Sequence, residues 1–366
     1  MNALKEHKPL FKKGANEIIF RELKQNANRV VAELEPNRRK GIIFKAILFP
    51  ALYFVCWIAA IFNSENTFTF YFAYFSMGIL LVLNYLNIIH DAVHNTIFKN
   101  RRINEAYVYL FDLMGANSYI WKIRHIRFHH NYPNVNGWDT DIDQSKIVRV
   151  VPQSPVSRFH KYQHIYLPFV YPVFLFNWLL IRDFKDFLSN KRTVKKLANI
   201  PVVEYIKLFF FKTLFFFYML VIPVMMGISF IMVLLAFIIM LFTASVFALI
   251  VLLPPHANVG SDFPAADENG RLPHDWFMHM LKTTNDVDGT NWFTRFVMGN
   301  YNFHIVHHLF PNVHHSYYPE ITQELKILSH KYNLPYRSYS LTGALKNHYL
   351  LLKQNSADFN IWEEDM

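Results

Sequence analysis

Cysteine is nearly absent. Cys56 is the single one in 366 residues, so no disulfide within the chain can brace the fold. No internal repeat and no low-complexity tract occurs, which excludes a solenoid and a compositionally biased linker. The first forty residues are polar and mixed in charge, which excludes a cleaved signal peptide there. Lys and Arg are missing from two short connections, NSENT (63–67) and the turn near Gly227.

What is present is apolar and aromatic. Thirty-six phenylalanines and twenty tyrosines exceed the needs of a soluble core. Four runs meet the roughly 20-residue length of a membrane span: 43–62, 68–89, 206–226 and 229–253. The expectation is an all-α integral membrane protein with four transmembrane helices. Two further apolar stretches, 105–121 and 164–181, read as interfacial helices rich in Tyr and Trp. The stretch 23–41 reads as a short amphipathic helix stopped near Pro36, and 254–320 as mostly polar and irregular. An amphipathic soluble helix is expected over 319–334. The domain plan is a cytoplasmic N-terminal segment (1–40), a membrane domain (41–340) and a cytoplasmic C-terminal tail (341–366) ending in the solvated WEEDM.

Arg38, Arg39, Lys40, Lys99, Arg101, Arg102, Arg192, Lys195 and Lys196 flank the span ends opposite the two Lys- and Arg-free turns. By the positive-inside rule this places both termini on the cytoplasmic side. The net charge of +10 fits such loops. It also fits a basic surface for acidic partners, such as a small electron carrier or phosphate-bearing lipids. No nucleic-acid partner is expected.

Eight of the eighteen histidines fall in three clusters, HDAVH (90–94), HIRFHH (125–130) and HIVHH (304–308). Residues three and four apart share one helix face, so each cluster aims two or three imidazoles into one volume. Imidazole suits iron, copper, zinc and nickel. Eight imidazoles exceed the shell of one ion, so two ions are the natural reading. Spacing alone does not choose the metal. Iron is favoured on function, because two redox-active irons can reduce O₂ and take hydrogen from an unactivated C–H bond. Zinc needs only three or four ligands. A zinc-binding transporter would also need polar groups inside the spans, and the clusters sit at span ends or between them.

HDAVH, HIRFHH and HIVHH, in this order, resemble the three histidine boxes of integral-membrane fatty acid desaturases, nearest to the front-end or linoleoyl-CoA desaturase-like branch. NYPNVNGWDTDID (131–143), HMLKTTND (279–286) and HHLFPNVHHSYYPEI (307–321) add to the likeness, which runs from about 40 to 336. The resemblance implies a histidine-rich cytoplasmic cap holding a non-haem diiron centre. Its iron ligands would be His90, His94, His125, His129, His130, His304, His307 and His308. His256, in LPPHAN just after the fourth span, matches a further family histidine and is the ninth candidate.

Asp91, Asp139, His279 and His315 are candidate partners that would orient the ligands. His7, His160, His164, His274, His330 and His348 read as surface residues. The implied reaction is O₂-dependent desaturation of a fatty acyl chain carried by coenzyme A or a membrane lipid, in a dry tunnel lined by spans two and four. A hydroxylase or ketolase acting on an acyl chain, alkane or carotenoid is the alternative. Two departures stand out. Front-end enzymes usually have Gln where this chain has His304. Many also carry a fused cytochrome b5 domain marked by His-Pro-Gly-Gly, which does not occur here, so a separate donor of ferredoxin or cytochrome b5 type is expected.

Overall fold

The computed structural model describes residues 8–14, 16–142 and 146–356. Helix α1 spans Glu17–Phe62 and α2 Thr67–Val93. Helix α3 is Arg101–Leu113, and α4 covers 118–129. A broken helical segment, α5, runs His160–Leu197, followed by α6 (Val202–Met225) and α7 (Phe230–Leu252). Beyond it come α8 (Trp276–Thr283), α9 (His304–Leu309), α10 (Tyr318–Tyr332) and α11 (Leu341–Gln354). Two-residue strands β1 (Asp286–Val287) and β2 (Ser338–Tyr339) pair in parallel and tie the segment before α9 to the segment before α11.

Helix α2 is the central member. A Cβ on Gly78 would lie 2.5 Å from the Met240 carbonyl oxygen and 2.9 Å from Thr243 Cβ. The α2 and α7 backbones therefore meet at a distance only glycine permits, a packing mode common between membrane helices. The outer helices present apolar side chains outward, among them Phe44, Phe169 and Phe210, as a lipid-facing surface requires.

Among the described residues five helices are long and apolar enough to cross a membrane, four of them containing the expected spans. The additional one is α5, which contains the stretch read as interfacial. The expected stop at Pro36 is corrected. Helix α1 continues through Pro36 and Pro50 without interruption. Proline removes one helical hydrogen bond, at a cost of about 3 kcal/mol. Contacts with α10 on both sides of Pro36 offset that loss: Asn26 Nδ2 donates to Glu324 at 2.9 Å, and Arg38 pairs with Glu320 at 2.5 Å. The first half of α1 is thus held against the segment that follows the third histidine cluster.

Part of the stretch read as C-terminal tail forms α11, which buries Ala344, His348, Leu351 and Leu352. The WEEDM end and His7 lie outside the described residues. The 254–320 region is largely loop, as expected, but contains α8 and α9 and is internally tied. Asn134 Nδ2 donates to the backbone oxygens of His256, Asp262 and Thr283 at 3.1–3.4 Å. Backbone acceptors this deep need such donors, and one side chain thereby binds the loop after box two to the loop after α7.

A buried ionic network anchors α4 to α5 and α6. Arg124 meets Asp186 at 2.6 Å, Arg192 meets Asp186 at 2.6 Å and Lys212 meets Asp183 at 2.8 Å. Lys212 also donates to the Gly115 and Leu179 carbonyls. Lys212 belongs to an apolar helix, where an unpaired ammonium would be costly. Its three acceptors satisfy all three of its protons.

Candidate metal centre

The three clusters and His256 converge. His90, His94, His125, His130 and His307 bring their ligand atoms within 4.8 Å of one another, and His129, His256, His304 and His308 form a second such group. All nine are buried. The backbone arranges this by local departures from α-helix. The turns at Tyr85–Ile89, before His90, and at Ile123–His129 are π-helical, and His130 N–H bonds the His125 carbonyl five residues back. Such wide turns recur at functional sites because they re-aim side chains. Here they let box two serve both groups: His125 and His130 go to the first, His129 to the second.

The ring nitrogens face one another. His125 Nε2 lies 3.1 Å from His90 Nε2 and 3.0 Å from His130 Nε2. His256 Nε2 lies 2.8 Å from His304 Nε2 and 3.0 Å from His308 Nε2. Neutral imidazoles can share one proton per contact, so these crowded nitrogens cannot all be satisfied by each other. His94 Nε2 and His307 Nε2 are buried with no hydrogen-bond partner among the described residues. Burial holds His125, His130, His256, His304, His307 and His308 well below the ordinary histidine range, which leaves the uncharged, metal-binding form. The donor set fits two metal ions.

Three of the rings are held from behind. His129 Nδ1–H donates to Asp139 at 3.0 Å. Burial lowers the His129 imidazole, but Asp139 outweighs it and raises the net affinity for a proton. The Asp139 carboxylate is fixed in turn by the Asn134 and Asp141 backbone N–H groups. His307 Nδ1 pairs with the Tyr318 hydroxyl at 3.0 Å, and His125 Nδ1 makes a longer contact of 3.4 Å to Asp141.

Of the other candidates, Asp91 accepts from His315 Nδ1–H at 2.6 Å. With His314 these two form a third buried group beside the first. His279 stands apart from the nine, its Nε2 on the Pro133 carbonyl at 3.0 Å. Asp141, Tyr318 and His314 were not singled out from the sequence. Asp141 had a signal, since it stands two residues after Asp139 in WDTDID. Two expected surface histidines are corrected: His160 and His348 are buried. Each bonds through both ring nitrogens, His160 to Ser157 N and the Lys146 carbonyl, His348 to Tyr171 and the Ala257 carbonyl. An imidazole so satisfied is as easily interior as exposed. His330 is exposed, and His164 and His274 are partly buried.

Beside the nine histidines lies a cavity of about 670 Å³. His125, His129, His256 and Asp141 form its polar wall, and Tyr85, Phe174, Trp178, Leu249 and Leu252 its apolar wall. It shares Tyr85, Phe174, Trp178 and Leu252 with a deeper apolar space between α2, α3, α5 and α7. On its other flank it shares Ile142, Val150, Phe174, Leu249 and Leu253 with a space reaching α5 and His348.

Apolar membrane-length helices with buried histidine groups at their ends and an apolar cavity beside them define a membrane metalloprotein acting on a hydrophobic molecule. Residues 66–340 match the family model for fatty acid desaturases, three quarters of the chain. The acyl-lipid (8-3)-desaturase of Physcomitrium patens is 29% identical, over 90% of this chain and 68% of its own length. The sn-1 linoleoyl-lipid 6-desaturase of Arthrospira platensis is 27% identical over 90% of each chain. The acyl-lipid (8-3)-desaturase B of Dictyostelium discoideum is 28% identical over 89% of this chain and 73% of its own. The chain belongs to the fatty acid desaturase family, and is an oxidoreductase that desaturates acyl chains.

Proposed function

We propose that this protein uses O₂ and a non-haem diiron centre to desaturate an acyl chain esterified in a membrane lipid. The observation that carries this reading is the division of nine buried imidazoles into a five and a four, beside a cavity that shares its apolar lining residues with a neighbouring apolar space. His90, His94, His125, His130 and His307 would hold one iron, and His129, His256, His304 and His308 the other. Two irons there would supply the redox chemistry that reduces O₂ and removes hydrogen from an unactivated C–H bond.

The chain's own residues do the rest. Asp139, held by three backbone N–H groups, fixes the His129 ring and its tautomer. Tyr85, Phe174, Trp178 and Leu252 align an extended acyl chain past the histidines and exclude water. The expected lining by spans two and four is supported by Leu81, Val82, Ala248 and Leu252, with α3 and α5 contributing as well. The lipid carrier follows the relatives' names, which are of acyl-lipid enzymes. Expression in a host lacking polyunsaturated lipids tests the reading. New double bonds in the host's acyl chains, located by mass spectrometry, are expected. Hydroxylated chains in their place would make the protein a hydroxylase.

We also infer four crossings, with the histidines and both termini on the cytoplasmic side. Box two and His256 lie together, so the chain between them crosses an even number of times. Helices α6 and α7, joined at Gly227, supply two crossings. A third by α5 would separate the boxes, so α5 lies along the box-side interface, where its broken course and outward Phe169 suit a headgroup position. In a variant lacking Cys56, a cysteine at Asn63 should react with an impermeant maleimide from outside, and cysteines at Asn190 and Gln354 only after permeabilisation. Outside labelling at Asn190 would overturn the four-crossing arrangement.

A further inference from the structure

A second opening approaches the nine histidines from the side away from the acyl cavity. It is a polar pocket of about 730 Å³ between α1, the 295–300 segment and the start of α10, and it shares no lining residue with the acyl cavity. Three cations line it, Arg38, Lys45 and Arg295, against one carboxylate, Glu320. Glu320 is engaged by Arg38 through both carboxylate oxygens, at 2.8 and 2.5 Å. Lys45 meets neutral acceptors, the Asn87 side-chain oxygen and the Arg295 carbonyl, each at 3.0 Å. The Arg295 side chain is exposed and has no carboxylate partner among the described residues. Lys45 also lies within electrostatic reach of Asp91, so the pocket's excess positive charge rests on the exposed Arg295.

Its wall leads directly to the five-histidine group. His315, buried in that wall, donates to Asp91 at 2.6 Å, and Asp91 adjoins His90 in the chain. Tyr318, preceding the wall residue Pro319, meets His307 at 3.0 Å. Each route from the pocket wall to the cluster thus takes one hydrogen bond and one step along the chain, to His90 through Asp91 and to His307 through Tyr318.

We propose that this pocket is the docking face for a separate electron carrier with an acidic surface, and that electrons enter the histidine cluster here. The inference rests on the diiron desaturase reading. Each double bond takes two hydrogens from the acyl chain, and O₂ accepts these with two electrons and two protons to give two waters. Two molecules of a reduced one-electron carrier are oxidised in the process. Separate openings let the carrier exchange while the acyl chain stays bound.

The test is Arg295→Glu in the full chain in vesicles, with Arg295→Gln as a milder variant and Lys196→Glu, an exposed cation remote from the pocket, as control. Opposing charges at a docking rim act mainly on association rate and salt dependence. On that basis Arg295→Glu should need roughly tenfold more reduced ferredoxin or cytochrome b5 for half-maximal turnover, with Arg295→Gln between it and wild type. Iron content, the half-saturating acyl-lipid concentration and turnover driven by dithionite should match wild type, and Lys196→Glu should leave donor dependence unchanged.

Unaltered donor dependence in Arg295→Glu overturns the proposal, as does an equal loss with dithionite. A response to the vesicle's anionic lipid content in place of donor concentration would mean that the pocket holds a lipid headgroup, which also overturns it. Failure of the underlying reading looks different: wild type would then lack two irons or would not desaturate with any reductant.

Discussion

His307→Ala and His129→Ala will each reduce desaturation to background while the protein still inserts in the membrane. The two substitutions strike different halves of the site, since His307 belongs to the five-histidine group and His129 to the four. Loss of a partner behind a metal ligand costs about 10–100-fold in metal affinity or activity, so loss of the ligand itself should exceed that. Both rings are also clamped, His307 by Tyr318 and His129 by Asp139, so each substitution also leaves a buried polar partner without its hydrogen bond. Iron per chain, measured on the purified variants, should fall from two. Normal turnover in either variant would remove that histidine from the ligand set.

His256→Ala should be as damaging as the loss of a box histidine, although His256 lies outside all three boxes. Its Nε2 is shared between His304 and His308 at 2.8 and 3.0 Å, which makes it the hinge of the four-histidine group. A four-ligand site has less redundancy than a five-ligand one. Ligand identity also governs metal electronics, so any iron retained should have a shifted reduction potential. His274→Ala is the comparison. His274 lies in the same loop region but contacts Lys282 and none of the nine, so it should change activity little. Equal, mild effects of the two substitutions would leave the site resting on eight histidines.

The convergence of the nine histidines was legible because ligand chemistry restricts residue type and helical repeat restricts spacing. His256 was legible from its position just past an apolar run. Asp139 was legible as a carboxylate near box two, whereas Tyr318 was not, because a tyrosine near the start of an amphipathic helix reads as ordinary packing. The α-helical spacing argument succeeded for a reason it did not contain. The box-two turn is π-helical, and that geometry divides HIRFHH between two groups. Pro36 misled because a local propensity was weighed without α10, whose contacts with α1 join residues nearly 300 positions apart. Hydropathy found α5 but could not decide whether it crosses. That depends on where box two and His256 end up relative to one another, which is a property of the tertiary structure. The Arg124, Asp183, Asp186 and Lys212 network was invisible for the same reason.

Lys212 bears on how the chain is made. It enters the bilayer within α6, an otherwise apolar helix, and its carboxylate partner Asp183 lies in α5, which the ribosome releases earlier. Synthesis proceeds from the N-terminus, so Asp183 has already been made when Lys212 emerges and is available to pair with its ammonium. The order of the two segments along the chain thus doubles as an assembly schedule. A chain in which α5 arrived late would leave a cation stranded among lipids, a lesion that membrane quality control could detect before any metal was loaded.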